Sequence, residues 1–224
     1  MATTKLKSSG GIWERCAFCA AIAMILGTIS SSTPVFSDPT TQPTQGSSSA
    51  AVRDAVAAQS FQRSDIKGGA FTKHPFEDVS PDGVLIGFRL GIGSFFNKEV
   101  IKYIEPIYLT PQGEAFGNGF GDLDEVERRV EAKAPPGFAV GAVNICGGGG
   151  LDAMTITFMR FNGTRIDPTD IRVTPKISGG KDGGGLLDGD GTPVIGICGR
   201  QDDDGKFLGL GLIFIKPTAM VDHR

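Results

Sequence analysis

A glycine run followed by an acid is the most conspicuous candidate for ligand chemistry. Gly147 to Gly150 precede Leu151 and Asp152. Four consecutive glycines could place backbone amides around a phosphate, but a P-loop also needs Lys-Ser/Thr and a following helix. Neither follows the run in this sequence. An Asp after glycines is also common where a turn leads into a strand, so a purely structural role for Asp152 stays open.

Other chemistry-bearing residues form no recognisable catalytic or metal-binding set. The acidic stretches at 188–191 and 202–205 could offer oxygens to Ca²⁺, but neither fits the twelve-residue EF-hand loop, and solvated turns are favoured. With two histidines, His74 and His223, the chain has no His-rich zinc motif, and no G-x-S-x-G accompanies them. We therefore predict no metal, no cofactor and no catalytic residues. A hydrolase with dispersed carboxylates remains an alternative.

The composition favours short strands joined by tight turns. Thirty-three of the 224 residues are glycine, and 15 are phenylalanine. The net charge of −3 provides no basic excess for nucleic acid, so we expect no nucleic-acid partner. Several phenylalanines lie in glycine-rich contexts (Phe95, Phe96, Phe116 and Phe120). We expect them to cover the ends of a β core rather than to line a cleft.

An internal repeat indicates the architecture. Gly87, Gly141 and Gly196 each stand between apolar residues, 54 and 55 residues apart, and each is preceded by a turn with Gly and Pro or Asp. A second β-prone run follows each copy, at 100–109, 151–160 and 207–216. This predicts an all-β domain, β-prism-like, with three antiparallel sheets related by a pseudo-threefold axis.

One segment of the repeat is ambiguous. Leu123 to Lys133 carries apolar residues at helical spacing, but Val126, Val130 and their neighbours also suit a strand. The logic of the repeat favours a strand.

The N-terminal part resembles a targeting segment. Basic residues precede an apolar run of about 14 residues from Cys16 to Ile29, which is shorter than the roughly 20 residues needed to span a bilayer. Small residues follow it, as in a secretory signal. We predict a signal peptide at 1–37, hence a secreted, cell-surface or periplasmic protein. An uncleaved N-terminal anchor is the alternative, and only then would a membrane be a partner.

The remaining boundaries follow from composition. Residues 38–66 are predicted to be a flexible linker, and residues 50–61 could form a short helix within this disordered or helical extension. The β domain is expected at 67–217 and a tail at 218–224. Cys16 and Cys19 belong to the leader. The domain retains Cys146 and Cys198, which form either one disulfide or two buried free thiols.

The repeats resemble the jacalin-like lectins and other β-prism proteins over about residues 66–216. The Gly68-Gly69-Ala70-Phe71 stretch is similar to the Gly-Gly-aromatic opening of a jacalin-like domain. Residues 194–199 (VIGICG) with 208–214 resemble its closing hairpin, and GLDAMTITFMR (150–160) resembles its middle strand. The chain also resembles uncharacterised exported bacterial proteins that have the same core.

This resemblance implies a sugar site of the form Gly-x-x-x-Asp. Gly148, Gly149, Gly150, Leu151 and Asp152 match that form in the second unit. The family's usual site lies in the closing hairpin, where Gly209 stands at the place of the Asp, and Lys102 stands there in the first unit. The implied function is that of an exported carbohydrate-binding protein whose partner is a carbohydrate or glycoconjugate. A non-catalytic structural or adhesion module at the cell surface is the alternative, and a homo-oligomer is an open option.

Overall fold

The computed structural model describes residues 45–69, 74–180, 183–189 and 191–216. The predicted signal peptide, the first part of the linker and the tail lie outside the described residues. The elements are α1 (Gln45–Ala57), β1 (Phe61–Arg63), β2 (Lys67–Gly68), β3 (His74–Val79), β4 (Val84–Phe95), β5 (Lys98–Thr110), β6 (Gly113–Phe116), β7 (Phe120–Gly121), β8 (Arg128–Lys133), β9 (Phe138–Cys146), β10 (Ala153–Phe161), β11 (Ile166–Val173), β12 (Ile177–Ser178), β13 (Gly185–Asp188), β14 (Val194–Gln201) and β15 (Phe207–Ile215).

Three antiparallel sheets share one pattern of pairing. Each is built on a central hairpin, which we call hairpin one (β4–β5), hairpin two (β9–β10) and hairpin three (β14–β15). A split outer strand pairs with the second strand of each hairpin: β6 and β7, β11 and β12, or β1 and β2. A single strand pairs with the first: β8, β13 or β3. The predicted all-β, three-sheet architecture is confirmed.

The third sheet is completed from the N-terminal side of the chain. Phe61–Arg63 pairs with the end of β15, from Ile215 to Ile213. The folded part therefore begins before the predicted boundary at residue 67, and part of the predicted linker is α1 and an edge strand. Within the described residues, no helix has the length and hydropathy needed to cross a bilayer.

The core lies between the three sheets, where alternate side chains point inward. On β10, Met154, Ile156 and Phe158 are buried while Thr155 and Thr157 are half-buried, as period-two alternation requires. Each such buried side chain stabilises the fold by about 1.5–3 kcal/mol. The ambiguous segment near residue 130 is also a strand, β8, which begins at Arg128.

A second apolar cluster lies at the opposite end of the hairpins from their turns. Val52 of α1, 1% exposed, packs there with residues such as Ile86 and Ile195, from the first strands of hairpins one and three. The helix therefore covers apolar surface that the sheets leave open.

Two of the three repeated glycines, Gly87 and Gly196, have the same kind of surroundings. A Cβ at Gly87 would collide with the carbonyl oxygen of Ala132, and one at Gly196 with that of Asp78. In both cases the neighbouring strand passes too close for a side chain. Gly141 differs, because a Cβ there would meet the side chain of Met159 instead.

The predicted disulfide alternative is wrong in this structure, where both cysteines are free. Cys146 ends β9 in the second sheet, whereas Cys198 lies within β14 in the third. The Cys198 sulfur lies against Gly211 of its own hairpin, so its side chain is directed at the adjacent strand rather than at Cys146.

Candidate functional site

The turns of the three hairpins meet at one end of the prism and enclose a cleft of about 310 Å³. We call it the three-hairpin cleft. Its residues include Phe95, Phe96 and Lys98 from hairpin one, Gly149 and Asp152 from hairpin two, and Lys206 from hairpin three. The volume is at the lower limit for small-molecule sites, which suits one ring of moderate size.

Asp152 brings an unpaired carboxylate to this cleft. Its backbone amide donates to the carbonyl of Cys146 at 2.9 Å, which fixes the residue where the loop rejoins β10. The side chain is half-buried. Across the described residues, its carboxylate makes no hydrogen bond or ion pair, so its acceptor capacity is open to a ligand.

The glycine loop has two anchored ends and an open middle. Leu151 is 1% exposed in the core, and its carbonyl accepts from the Ile101 amide at 2.9 Å. The Leu151 side chain therefore holds the loop in place and does not face the cleft. By contrast, nothing lies within 4 Å of where side chains at Gly148, Gly149 or Gly150 would begin. The backbone there is accessible to a close-approaching ligand.

Two exposed phenylalanines form one wall of the cleft. Phe95 and Phe96 are 58% and 85% exposed, with ring centroids 4.6 Å apart in an edge-to-face arrangement. Phe96 has φ of 47° in the two-residue turn, a conformation that bulky residues rarely adopt. The expectation that these rings cover the core is therefore wrong. They lie at the cleft mouth, and only the hairpin geometry reveals it.

Two of the three lysines at the cleft share one acid. Glu125 pairs with Lys102, which is buried, and its other oxygen lies 3.5 Å from the Lys206 ammonium. The hydrogen bond from Lys102 is the main cause that lowers the pKa of Glu125. The charge of Glu125 in turn raises the pKa of Lys206, so these two groups stay ionised at neutral pH. The exposed Lys98 has no partner within the described part of the chain.

The strand register identifies the positions that correspond to Asp152. Residues 103, 153 and 209 each pair with the short second piece of an outer strand, at Gly121, Ser178 and Gly68. The preceding positions are Lys102, Asp152 and Leu208. In this register Lys102 is the counterpart of Asp152 in hairpin one. In hairpin three the register places Leu208 at that position, one residue before Gly209.

Other polar clusters are occupied by internal bonds. A larger cleft of about 520 Å³ contains Asp78 and Tyr108, but the phenol donates to the Asp78 carboxylate at 2.7 Å. In the acidic turn, Asp202 accepts from the amides of Asp204 and Lys206 at 3.0 and 2.8 Å. No cluster of three or more His, Cys, Asp or Glu side chains among the described residues could hold a metal.

Comparison with known proteins finds similar structures but no similar sequence. A scan against protein-family models finds no match, and a search of curated proteins finds no similar sequence. Among solved structures, frutapin from Artocarpus incisa is similar with a TM-score of 0.51 and 11% identity, over 69% of this chain and 96% of that one.

Two further lectins agree with this result. Artocarpin, in a complex with methyl-α-mannose, is similar with a TM-score of 0.51 and 13% identity, covering 68% of this chain and 97% of that one. The Calystegia sepium agglutinin gives 0.50 and 9%, covering 67% and 93%. The chain therefore has the β-prism fold of the jacalin-like lectins.

Proposed function

We propose that the protein binds carbohydrate in the three-hairpin cleft. The observation that carries the proposal is the free carboxylate of Asp152 beside the uncovered backbone of Gly149 and Gly150. Vicinal hydroxyls of a sugar donate well to a fixed carboxylate, and charge-assisted bonds of this kind are the strong ones.

The aromatic wall complements this polar corner. A pyranose ring has a face of C–H groups, and Phe95 or Phe96 offers an apolar surface on which such a face can pack. Amphipathic ligands of this type fit a cleft with one aromatic side and a few fixed polar groups. Artocarpin, which shares the fold, has been solved with methyl-α-mannose, and we extend only the ligand class to this chain.

The same proposal includes export without catalysis. The leader-like segment at 1–37 would carry the β domain to the cell surface, the periplasm or the medium, where glycoconjugates are accessible. Among the described residues of the cleft, the one acid without an ionic partner is Asp152, whereas glycoside hydrolysis generally uses a pair of carboxylates. Binding is the function that this single acid supports.

A glycan array tests the proposal directly. We expect the wild-type protein to be retained by a subset of glycans, and Asp152→Asn to weaken that binding at least about tenfold. Losing one charge-assisted hydrogen bond costs about 1.5–3 kcal/mol, and 1.4 kcal/mol is tenfold in affinity. Asp188→Asn is the matched control, since Asp188 is exposed on β13 outside the cleft.

Two results would contradict the proposal. Silence across the whole array would refute carbohydrate binding, and a defined oligomer or captured partner in its place would favour the structural or adhesion role. Equal retention of Asp152→Asn and wild type would show that the ligand binds outside this cleft.

A further inference from the structure

The three-hairpin cleft has more positive than negative side chains. Lys98, Lys102 and Lys206 line it, and Asp152 is the one acid in the described part of its lining. Glu125 borders the cleft from the side and is shared by Lys102 and Lys206. When Glu125 is included, three ammonium groups face two carboxylates, although the whole chain is acidic with a net charge of −3. The excess is local.

Lys98 supplies that excess. It begins β5, directly after the two-residue turn of Phe96 and Asn97, and its side chain is exposed at the cleft wall. Glu125 occupies the other two lysines, whereas Lys98 has no ionic or hydrogen-bond partner among the described residues. Counted over the residues that the structure describes, the cleft therefore offers one free cation and one free anion, Lys98 and Asp152, on two different hairpins.

We propose that the ligand is an acidic sugar, in which Asp152 accepts from ring hydroxyls and Lys98 pairs with a carboxylate or sulfate. This rests on the proposed carbohydrate function and specifies its ligand class. A neutral sugar would form no ion pair with the exposed Lys98. An acidic sugar uses both free charges, because its hydroxyls and its anionic group lie at different positions of the ring.

A lipid surface is the competing occupant, since exposed phenylalanines next to lysines can also insert at anionic membranes. The position of Asp152 favours the sugar. Its carboxylate repels lipid phosphates in the same cleft, whereas an acidic sugar also brings hydroxyl donors from which the carboxylate can accept. Sugar recognition therefore requires Asp152, and attraction to an anionic bilayer would not.

The test uses matched neutral and acidic ligands. Affinities of the full chain are measured for phenyl β-glucoside against phenyl β-glucuronide, and for galactose against galactose 6-sulfate, each coupled to a carrier. We expect the acidic member of at least one pair to bind about three- to fivefold tighter at low salt, the range of one exposed ion pair. That preference should diminish at 0.5 M salt.

Variants assign the preference to one side chain. Lys98→Ala should equalise the affinities for the acidic and neutral members while still binding both. Lys216→Ala removes the same charge at the far end of hairpin three and should leave the preference intact. Asp152→Asn should weaken both members.

The outcomes separate this proposal from the broader one. Equal binding of both members by wild type, or an unchanged preference in Lys98→Ala, overturns the acidic ligand and leaves carbohydrate binding standing. Absence of binding to either member and to every glycan on the array overturns both. Binding to phosphatidylserine vesicles that Asp152→Asn does not change, without preference between the sugars, overturns the acidic ligand in favour of a membrane surface.

Discussion

Replacing Ser178 with glycine should stabilise the protein. Ser178 ends β12 and pairs with Ala153, which places it opposite the residue after Asp152. In the other two sheets the equivalent positions are Gly121 and Gly68, with φ of 111° and 118°. Ser178 has φ of 73°, so a residue with a side chain occupies the left-handed region where the other units have glycine.

The size of the stabilisation follows from two costs that Ser178 imposes on the folded state and one cost that glycine would add. A left-handed conformation costs an ordinary residue about 1–2 kcal/mol. The Ser178 hydroxyl oxygen is buried without a hydrogen-bond partner among the described residues, and such a group costs about 1–3 kcal/mol. Glycine loses about 0.5–1 kcal/mol more backbone entropy on folding. The net expectation is a gain of about 1–4 kcal/mol in the free energy of unfolding.

Urea denaturation of the variants measures this gain and separates its causes. Ser178→Ala removes the hydroxyl but keeps the left-handed residue, so it should recover only part of the gain. The reverse substitution, Gly121→Ser, should lose more than about 2 kcal/mol, because its Cβ would collide with the Lys102 carbonyl. If Ser178→Gly is no more stable than wild type, the strain and the unpaired hydroxyl together do not have the assigned cost.

Two further predictions concern the hydrogen bond between Tyr108 of the first sheet and Asp78 of the third, and the ionisation of the buried Cys198 and Tyr108 at high pH. Tyr108→Phe should lower the free energy of unfolding by about 1.5–3 kcal/mol, because the buried Asp78 carboxylate loses a hydrogen-bond donor at 2.7 Å. The control is Tyr103→Phe, at the chain's other tyrosine. In the same urea titration it should change the free energy of unfolding by less than about 0.5 kcal/mol. Burial raises the pKa of Cys198 from 9.0 to about 11 and that of Tyr108 above its usual 10.0. Both pKa values are raised in the folded state, so the protonated Cys198 and Tyr108 contribute fully to the free energy of unfolding below about pH 9, and this contribution is lost as pH rises. The free energy of unfolding should therefore fall between pH 9 and 11. The fall should be smaller in Cys198→Ala than in wild type. A flat alkaline profile would contradict this assignment.

The repeat in the sequence predicts most of the fold because strands and turns depend mainly on residues that are close together in the chain. Apolar runs with β-branched residues at period two form the hairpins wherever they occur, and turns rich in Gly and Asp delimit them. The second runs at 100–109, 151–160 and 207–216 accordingly differ from β5, β10 and β15 by two residues or fewer at each end. Three such hairpins with matching apolar faces have few ways to enclose a core other than against one another.

The N-terminal strands escaped prediction because their pairing is not local. Residues 61–63 contain one apolar and two polar side chains, and they become a strand only because β15 leaves an edge to pair with. Circular closure of the third unit by an N-terminal segment leaves no trace in the spacing of the repeats. Likewise, the exposure of Phe95 and Phe96 depends on a two-residue turn at Phe96 and Asn97, and Phe96 has a left-handed backbone that its residue type disfavours.

Divergence of one repeated position gives the cleft its chemistry. The pseudo-threefold arrangement brings three equivalent positions to the same end of the prism, and they are Lys102, Asp152 and Leu208. Three aspartates there would repel one another, and three leucines would offer no hydrogen bond. With Lys102 neutralised by Glu125 and Leu208 apolar, Asp152 keeps its acceptor capacity for a ligand. A sequence motif can indicate an Asp after glycines, but only the other two hairpins determine whether that Asp is free to bind.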